Sequence, residues 1–210
     1  MSGRGVRLDG EGREQVTRET KAAAHAPGGA LETRLASGWR PRAFVAIDFE
    51  TANRDRSSAC ALCVVRVEGQ RIAGKSVSLI RPPTSQFEFS HIHGITWAHV
   101  AAKRAFAEVW KTLAPMIEGA EFLAAHNARF DRGVLVTCCR NARIAIPNHP
   151  FVCTVALARL KWNLYPTKLP NVCEFLGLPL RHHDPLSDAS ACAGIVLAAG
   201  GGPRPLKVMR

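Results

Sequence analysis

Long apolar runs are missing from this 210-residue sequence, and their absence excludes several classes of protein. No stretch approaches the roughly 20 uninterrupted apolar residues that a membrane-spanning helix requires. The N-terminus also lacks the apolar core of a secretory signal, so we expect a cytoplasmic protein without a membrane partner. Internal repeats are absent as well, and 47% hydrophobic content in a chain of this length predicts one globular domain.

Acidic residues are scarce, at 17 against 28 lysines and arginines, which gives a formal net charge of +11. Lys and Arg gain affinity for phosphates because binding releases the counterions condensed on them. The charge therefore favours a polyanionic partner such as nucleic acid.

Cysteine occurs seven times, an odd number that includes the neighbours Cys138 and Cys139. This pattern is not that of a secreted disulfide framework, and we expect reduced, mostly buried thiols. Cys60 and Cys63 form a CxxC within an apolar segment, but no second pair lies at a spacing suited to a four-ligand zinc site.

Composition divides the chain into three parts. Residues 1–41 mix glycine, arginine, glutamate and alanine with few large apolar residues, and they predict a mostly disordered extension in which only 15–24 could form a helix. A basic arm that binds nucleic acid is the alternative interpretation. Residues 42–200 carry the regular patterns of a folded domain, and residues 201–210 predict a flexible tail.

Apolar periodicity within 42–200 alternates between strands and helices. Three segments with short connections predict an antiparallel meander: AFVAID, ACALCVVRVEG and RIAGKSVSLIRP. Helical spacing follows at Phe106, Val109, Trp110, Leu113 and Ile117, and EFLAAHN and FVCTVALARL each predict a strand that leads into a helix. Two more helices, LPNVCEFLGL and SDASACAGIVLAAG, end at glycines. The order indicates an α/β fold with a mixed sheet flanked by helices.

Carboxylates stand where several of these elements begin or end. Asp48 and Glu50 close the first strand and, two residues apart, project from one face. Like charges at the end of a buried strand need a cation, and carboxylate oxygens suit Mg²⁺ or Mn²⁺. Asp131 and Asp188 lie in the first turns of two predicted helices, and His183, five residues before Asp188, is suited to act as a general base. Each motif alone also fits an ordinary strand end or loop histidine.

Taken together, IDFET, AHNARFD and HHDPLSDA resemble the three motifs of the DEDDh exonucleases, the superfamily of the proofreading epsilon subunit of bacterial DNA polymerase III. The resemblance covers residues 44–199 and extends to HIHGIT, FAEVWKTLAPMIEGAEF and KLPNVCEFLGLPL. It implies a ribonuclease H-like fold whose central five-stranded mixed sheet is antiparallel in its first three strands. It also implies a metal-dependent 3′→5′ exonuclease that releases nucleoside monophosphates from single-stranded or frayed ends.

Roles for five residues follow from the resemblance. It assigns Asp48, Glu50, Asp131 and Asp188 to the binding of two divalent cations, Mg²⁺ or Mn²⁺. Asp48 would bridge both ions, Glu50 and Asp188 would hold the ion beside the nucleophile, and Asp131 would help to hold the other. His183 would be the general base for the attacking water.

Contacts to the terminal nucleotide also follow from the resemblance. Glu50 and Thr51 match positions that meet the 3′-hydroxyl, and Glu88 and His93 have the spacing of the glutamate and the HGI histidine of epsilon-type enzymes. A histidine that holds its own turn is the alternative for His93. We expect Phe49 to face the core, opposite the two acids.

Some features leave alternatives open. The segment WAHVAAKRAF is basic where the family often has acidic residues and a proline, and it either extends a nucleic-acid track or is surface variation. All five catalytic positions hold the expected residue types, which favours an active enzyme over a catalytically weak nucleic-acid-binding relative. Because 201–210 is shorter than the segment that tethers epsilon to its polymerase, we favour a standalone nuclease over a proofreading subunit. The motifs do not fix the sugar preference, and we expect DNA rather than RNA.

Overall fold

The computed structural model of the protein describes residues 29–201. Its strands are β1 (Ala43–Thr51), β2 (Ala59–Glu68), β3 (Arg71–Leu79), β4 (Leu123–Ala125) and β5 (Phe151–Cys153). Its helices are α1 (Ala30–Ala36), α2 (Ser90–His93), α3 (Trp97–Val100), α4 (Phe106–Leu113), α5 (Ala128–Ala142), α6 (Thr154–Trp162), α7 (Leu169–Leu176) and α8 (Pro185–Ala199), with a 3₁₀ turn at Ala114–Ile117. The predicted helix at 15–24 and the predicted tail after 201 lie outside the described residues. None of the helices in this range has the length and apolarity needed to cross a bilayer.

The five strands form one mixed sheet in the order β3-β2-β1-β4-β5. β1 pairs antiparallel with β2, and β2 with β3, as the short connections predict. β4 pairs parallel with β1 on the other side, and β5 continues parallel to β4. The predicted α/β class, the five-stranded mixed sheet and its antiparallel first three strands are therefore confirmed. Because β1 lies at the centre, its carboxyl end is surrounded by neighbouring elements.

Both faces of β1 are buried, which explains why its sequence reads as a nearly continuous apolar run. Val45, Ile47 and Phe49 pack in one hydrophobic cluster with residues of α4 and α5. Phe44 and Ala46 point the other way and pack in a second cluster with residues of α6 and α8. Since alternate side chains take opposite faces, the face that carries Phe44 and Ala46 continues into the two acids of IDFET.

The predicted helix from Phe106 to Ile117 is confirmed with one refinement. Its apolar residues are buried as expected, but the α-helix ends at Leu113 and a 3₁₀ turn with Pro115 near its start completes the segment. The stretch before it contains the one-turn helices α2 and α3. Gly94 ends α2 with a φ of 73°, a conformation that glycine adopts without strain.

The described part of the fold includes α1, which precedes the predicted boundary at residue 41. Leu35 of α1 is fully buried with residues of β1 and α8. The Glu32 carboxylate accepts a hydrogen bond from the backbone N–H of Cys153 at 2.8 Å, and Arg40 donates to the Gly200 and Gly201 carbonyls at 2.9 Å. A seven-residue helix is marginal in isolation, so its stability comes from these tertiary contacts, which composition does not reveal.

All seven cysteines are free, and all but Cys153 are buried, which confirms the prediction of buried thiols. Cys60 and Cys63 are fully buried in β2 but belong to different hydrophobic clusters. They lie on opposite faces of the sheet and cannot share a metal ion. Burial raises the pKa of each thiol to about 12, which keeps both protonated at neutral pH.

Replacing Leu35 with alanine tests whether α1 is part of the folded unit. We expect Leu35→Ala to lower the free energy of unfolding by about 2–5 kcal/mol, the usual cost of emptying a fully buried leucine site. Leu160→Ala is the matched control, because Leu160 is 44% exposed, and we expect it to cost less than about 1 kcal/mol. Urea denaturation measures both changes. Equal, small losses in the two variants would show that α1 does not contribute to the cooperative core.

Candidate active site

Asp48 and Glu50 lie at the carboxyl end of β1, on the face that packs towards α8. Phe49 between them is only 3% exposed and points into the opposite cluster, as expected. The two acids are less deeply enclosed than the apolar residues that precede them in the strand. Their side chains therefore emerge where the sheet meets solvent.

Asp131 reaches the same place from the first turn of α5. The connection from β4 passes through Asn127, whose φ of 71° turns the chain sharply into the helix and indicates a structural role for this residue. Asp131 is 3% exposed, and its Oδ1 accepts a hydrogen bond from the backbone N–H of Phe49 at 3.1 Å. One aspartate is thus tied directly to the strand segment that carries the other two acids.

Asp188 approaches from the first turn of α8. The Asp184 side chain accepts a hydrogen bond from the Ser187 backbone N–H at 2.9 Å and so caps the start of that helix. Asp188 is 6% exposed, and its Oδ2 accepts hydrogen bonds at 3.1 Å from Nδ1 of His182 and from the backbone N–H of His183. Its Oδ1 is buried and has no partner within the described residues.

The four carboxylates act on one another electrostatically. Burial raises the pKa of Asp48 well above its usual value, and the charges of Asp131, Glu50 and Asp188 raise it further. Burial raises the pKa of Glu50 to about 7, with a smaller contribution from the charge of Asp188. Burial raises the pKa of Asp131 to about 8, although the Phe49 N–H opposes the shift. Burial also raises the pKa of Asp188, against the hydrogen bonds from His183 and His182.

These properties fit a site for divalent cations. Clustered carboxylates with raised pKa values are costly when ionised, and a cation would compensate them. Carboxylate oxygens are the donors that Mg²⁺ and Mn²⁺ prefer, and the unpartnered Oδ1 of Asp188 is a free oxygen of this kind. His182, His183 and Asp188 each offer a possible ligand atom, and these atoms lie within 4.8 Å of one another.

His183 stands beside this cluster on the loop that enters α8. Its φ is 68°, and its ring stacks on that of His182 with centroids 3.8 Å apart. Within the described residues, its ring nitrogens have no hydrogen-bond partner, and the ring is exposed. A free, accessible imidazole next to a carboxylate can accept a proton from a water molecule.

His93 lies against the end of β1. Its Nδ1 accepts a hydrogen bond from the Ile95 N–H at 3.0 Å, so the neutral ring donates from Nε2 to the Thr51 carbonyl at 3.1 Å. Burial lowers the pKa of His93, and the charge of His183 lowers it further, which places the two rings in one neighbourhood. Both ring nitrogens are engaged, so the alternative role of holding its own turn explains these contacts. A contact with substrate stays a prediction for both His93 and Thr51.

Glu88 is near the site through its backbone only. Its N–H donates to the Ala52 carbonyl at 2.7 Å, just past the end of β1. Its carboxylate lies 3.6 Å from the guanidinium of Arg54, and both side chains are well exposed, at 55% and 88%. The structure does not bring the Glu88 carboxylate into the cluster of acids, and its role at the terminal nucleotide stays a prediction.

Sequence analysis missed two histidines around the site. His182 contacts Asp188 through its ring, and the pair of adjacent histidines in HHDPLSD was the available signal. His126 bridges Thr154 Oγ1 at 2.9 Å and the Thr167 carbonyl at 3.0 Å, so it ties the end of β4 to α6 and to the loop before α7. Burial lowers the pKa of His126 to about 4, which identifies a neutral structural histidine.

Comparisons with known proteins agree with this arrangement. The model of the exonuclease family matches residues 45–196. A DNA polymerase III PolC-type protein of Thermotoga maritima is 32% identical over 158 residues, which cover 73% of this chain but only 12% of that protein. The structure of exonuclease X in complex with 5′ overhanging duplex DNA is 25% identical, with a TM-score of 0.61 over 77% of this chain and 95% of that chain. The nuclease domain of 3′hExo, a DEDDh family member bound to rAMP, shares the fold at 20% identity and a TM-score of 0.66, over 75% of this chain and 91% of that chain.

The raised pKa values predict how stability depends on pH when no divalent cation is present. A carboxyl whose pKa is raised on folding stabilises the folded state fully below its unfolded pKa near 4, and that contribution is lost as the pH rises. The loss should extend to pH 7 for Glu50 and pH 8 for Asp131. We therefore expect the melting temperature to fall between pH 5 and pH 8, and Mg²⁺ to restore it at pH 8.

Asp131→Asn sharpens this test, because asparagine retains the oxygen that accepts from Phe49 and cannot ionise. In metal-free buffer at pH 8 we expect the variant to melt at least about 3 °C above the wild type, with a smaller gain from Mg²⁺. Glu174→Gln on the exposed surface of α7 is the control and should follow the wild type. Differential scanning calorimetry provides the comparison, and a variant less stable than the wild type at pH 8 would contradict the electrostatic account.

Proposed function

This chain belongs to the exonuclease family of DEDDh nucleases, and we propose that it is a metal-dependent 3′→5′ exonuclease acting on single-stranded or frayed ends. The observation that carries the proposal is the convergence of four buried or half-buried carboxylates at the end of β1, with raised pKa values and an accessible histidine beside them. Packing of the fold does not require so costly a group of charges, whereas metal-dependent hydrolysis of a phosphodiester uses one.

The residues that would hold two divalent cations, Mg²⁺ or Mn²⁺, are Asp48, Glu50, Asp131 and Asp188. The charges of the other three acids all act on Asp48, so its carboxylate would be placed to hold the cations together with them. When bound, such cations would make the attacking water more acidic and neutralise charge on the phosphate. Asp131 is held by the Phe49 N–H and Asp188 by two donors, so these two carboxylates are already oriented.

His183 would serve as the general base that takes the proton of the attacking water. Its ring nitrogens are free within the described part of the chain, whereas Nδ1 of His182 is engaged by Asp188. The hydrogen bond from the His183 backbone to Asp188 fixes the position of the loop, and the ring can move about its own side-chain bonds. Proton transfer by a positioned imidazole accelerates such reactions by roughly 10²- to 10⁴-fold.

The 3′→5′ direction would follow from a terminal pocket beside β1. Glu50 and Thr51 would meet the 3′-hydroxyl, and His93 fixes the backbone at Thr51 through its hydrogen bond to the carbonyl. A pocket closed at this end admits a terminal sugar and releases one nucleoside monophosphate at a time. Glu88 could join it only by leaving Arg54.

We propose DNA as the preferred substrate and an independent nuclease as the biological form. In the 25% identical neighbour, exonuclease X, the bound ligand is duplex DNA, and this chain matches nearly the whole of that nuclease. Proofreading beside a polymerase is the second candidate, supported by the relative in which the matching region is part of a PolC-type polymerase. The cytoplasmic location stays a prediction.

Asp48→Ala tests the catalytic proposal. With a 5′-labelled oligonucleotide and Mg²⁺ or Mn²⁺, we expect the wild type to shorten the labelled strand one nucleotide at a time and Asp48→Ala to be slower by at least about 10³-fold, since metal assistance is worth several kcal/mol. Blocking the 3′ end should stop the wild type, and blocking the 5′ end should not. Gel analysis of the products measures rate and direction.

The surface variant Glu174→Gln serves as the matched control and should retain full activity. If the wild type degrades the oligonucleotide no faster than Asp48→Ala, the enzyme interpretation is wrong and a nucleic-acid-binding relative takes its place. Competition between DNA and RNA strands of one sequence tests the sugar preference in the same assay.

His183→Gln and His182→Gln separate the general base from its neighbour. We expect His183→Gln to lower kcat by roughly 10²- to 10⁴-fold, the usual contribution of a general base. His182→Gln keeps the free base and should lose less than about tenfold. Steady-state kinetics from pH 5.5 to 9 provide the measurement, and the reverse order of effects would assign the base to His182.

A further inference from the structure

Four arginines surround a depression of about 430 Å³ on the outer side of α5. We call Arg56, Arg129, Arg132 and Arg140 the arginine face. Gly133, Val136 and Ile146 line the same depression. All four arginines are exposed, and none of the sequence motifs includes Arg56 or Arg140.

Helical geometry produces most of this face. Arg129, Arg132 and Arg140, with Val136 between the last two, follow spacings of three and four residues and so form one stripe along α5. Arg56 comes from the loop between β1 and β2 and lies across Gly133. A Cβ built on Gly133 would stand 2.3 Å from a guanidinium nitrogen of Arg56, so only glycine leaves room for this side chain against the helix.

The described residues do not neutralise the arginine face. Among residues 29–201, no carboxylate forms an ion pair with any of its four arginines. Four guanidinium groups around one depression repel one another unless an anion lies between them. A planar guanidinium is also the side chain best suited to bind phosphate through two parallel hydrogen bonds.

The position of the face relative to the carboxylates indicates which phosphates it would take. Arg129 and Arg132 lie on either side of Asp131 in the sequence, so the stripe starts at the end of α5 that carries the candidate active site and runs away from it along the helix. Eleven residues separate Arg129 from Arg140, which corresponds to about 16 Å and to roughly five phosphate intervals of a stacked strand.

We propose that the arginine face binds the backbone phosphates of the substrate strand on the 5′ side of the nucleotide being removed. The proposal rests on the nuclease function proposed above and adds a second binding region to it. A strand whose 3′ end occupies the carboxylate site is held along α5 by its phosphates, without contact to its bases. Binding there is independent of sequence, depends on salt, and increases with strand length until the stripe is filled.

Paired variants test this inference on the full-length protein. Arg56→Gln and Arg140→Gln, combined, remove one charge beside Gly133 and one near the far end of the face, and they leave Arg129 and Arg132 beside Asp131 in place. Arg71→Gln with Lys75→Gln removes the same charge from exposed positions on the edge strand β3 and is the matched control. Equal melting temperatures would establish that both proteins are folded.

Three measurements distinguish a phosphate-binding face from a general charge effect. On a single-stranded 12-mer at low salt, we expect the Arg56/Arg140 double variant to raise KM about tenfold. The slope of log KM against log salt should fall by about 1.4, which is the value for two phosphates of a single strand. The KM of the wild type should decrease with strand length up to roughly six nucleotides and then stay constant. In the Arg56/Arg140 double variant, this decrease should be smaller. The p-nitrophenyl ester of thymidine 5′-monophosphate, which has no upstream phosphate, should be hydrolysed at the wild-type rate.

Several outcomes would overturn the inference. One is an equal rise of KM in the Arg71/Lys75 control, and another is an equal loss of activity of the Arg56/Arg140 double variant on the nitrophenyl ester. A third is an effect confined to duplex substrates, which would assign the face to the complementary strand. Failure of the proposed function gives a different result, because wild type would then hydrolyse neither substrate. Fluorescence anisotropy of the 12-mer without divalent cations would still decide the inference. The expected result is that the Arg56/Arg140 double variant binds the 12-mer more weakly than the Arg71/Lys75 double variant does.

Discussion

The fold is organised around the cost of keeping four carboxylates at the end of one buried strand. Burial and mutual repulsion oppose their ionisation, which is why the pKa of Glu50 is raised to about 7 and that of Asp131 to about 8. Protons can relieve this cost at low pH, and divalent cations can relieve it at neutral pH. A site with this balance is prepared for cations before any substrate arrives.

The surrounding elements meet that cost in two ways. α5 and α8, each of 15 residues, begin at the cluster, and Asp131 and Asp188 lie in their first turns. A helix N-terminus carries partial positive charge and free N–H groups, so both aspartates are placed where a negative charge is stabilised. The backbone supplies specific donors as well, from Phe49 to Asp131 and from His183 to Asp188. These contributions offset part of the desolvation and fix the orientation of the oxygens.

The central architecture could be predicted because its signals are local in sequence. Alternation along β1 decided that Asp48 and Glu50 share one face, and the short connections decided the antiparallel pairing of the first three strands. Helix starts placed Asp131 and Asp188, and the sheet then brought all four acids together. In each case a period of two or 3.6 residues, or a short loop, restricts the outcome to one arrangement.

The remaining features depend on contacts between distant parts of the chain. α1 lies in a segment, residues 1–41, whose overall composition predicted disorder, and it is ordered by Leu35 in the core and by Glu32 bonded to Cys153, 121 residues away. Spacing assigned Glu88 to the terminal nucleotide but could not reveal that its carboxylate pairs with Arg54. Which of the two histidine rings contacts the Asp188 carboxylate depends on the left-handed backbone conformation of His183. No glycine next to it in the sequence predicts that conformation.

α5 connects the acidic and basic parts of the molecule through one rigid element. Its inner side presents Asp131 to the end of β1, and its outer side presents three of the four arginines of the arginine face. Because both sets of side chains share one helix, their separation is fixed by helical rise rather than by loop movements. A protein with a charge of +11 attracts polyanions at many points, whereas a stripe along α5 would give a bound strand a direction. Under the proposed function, Asp131 would face the cations at the end of β1, and the arginines of the same helix would face the phosphates of the strand.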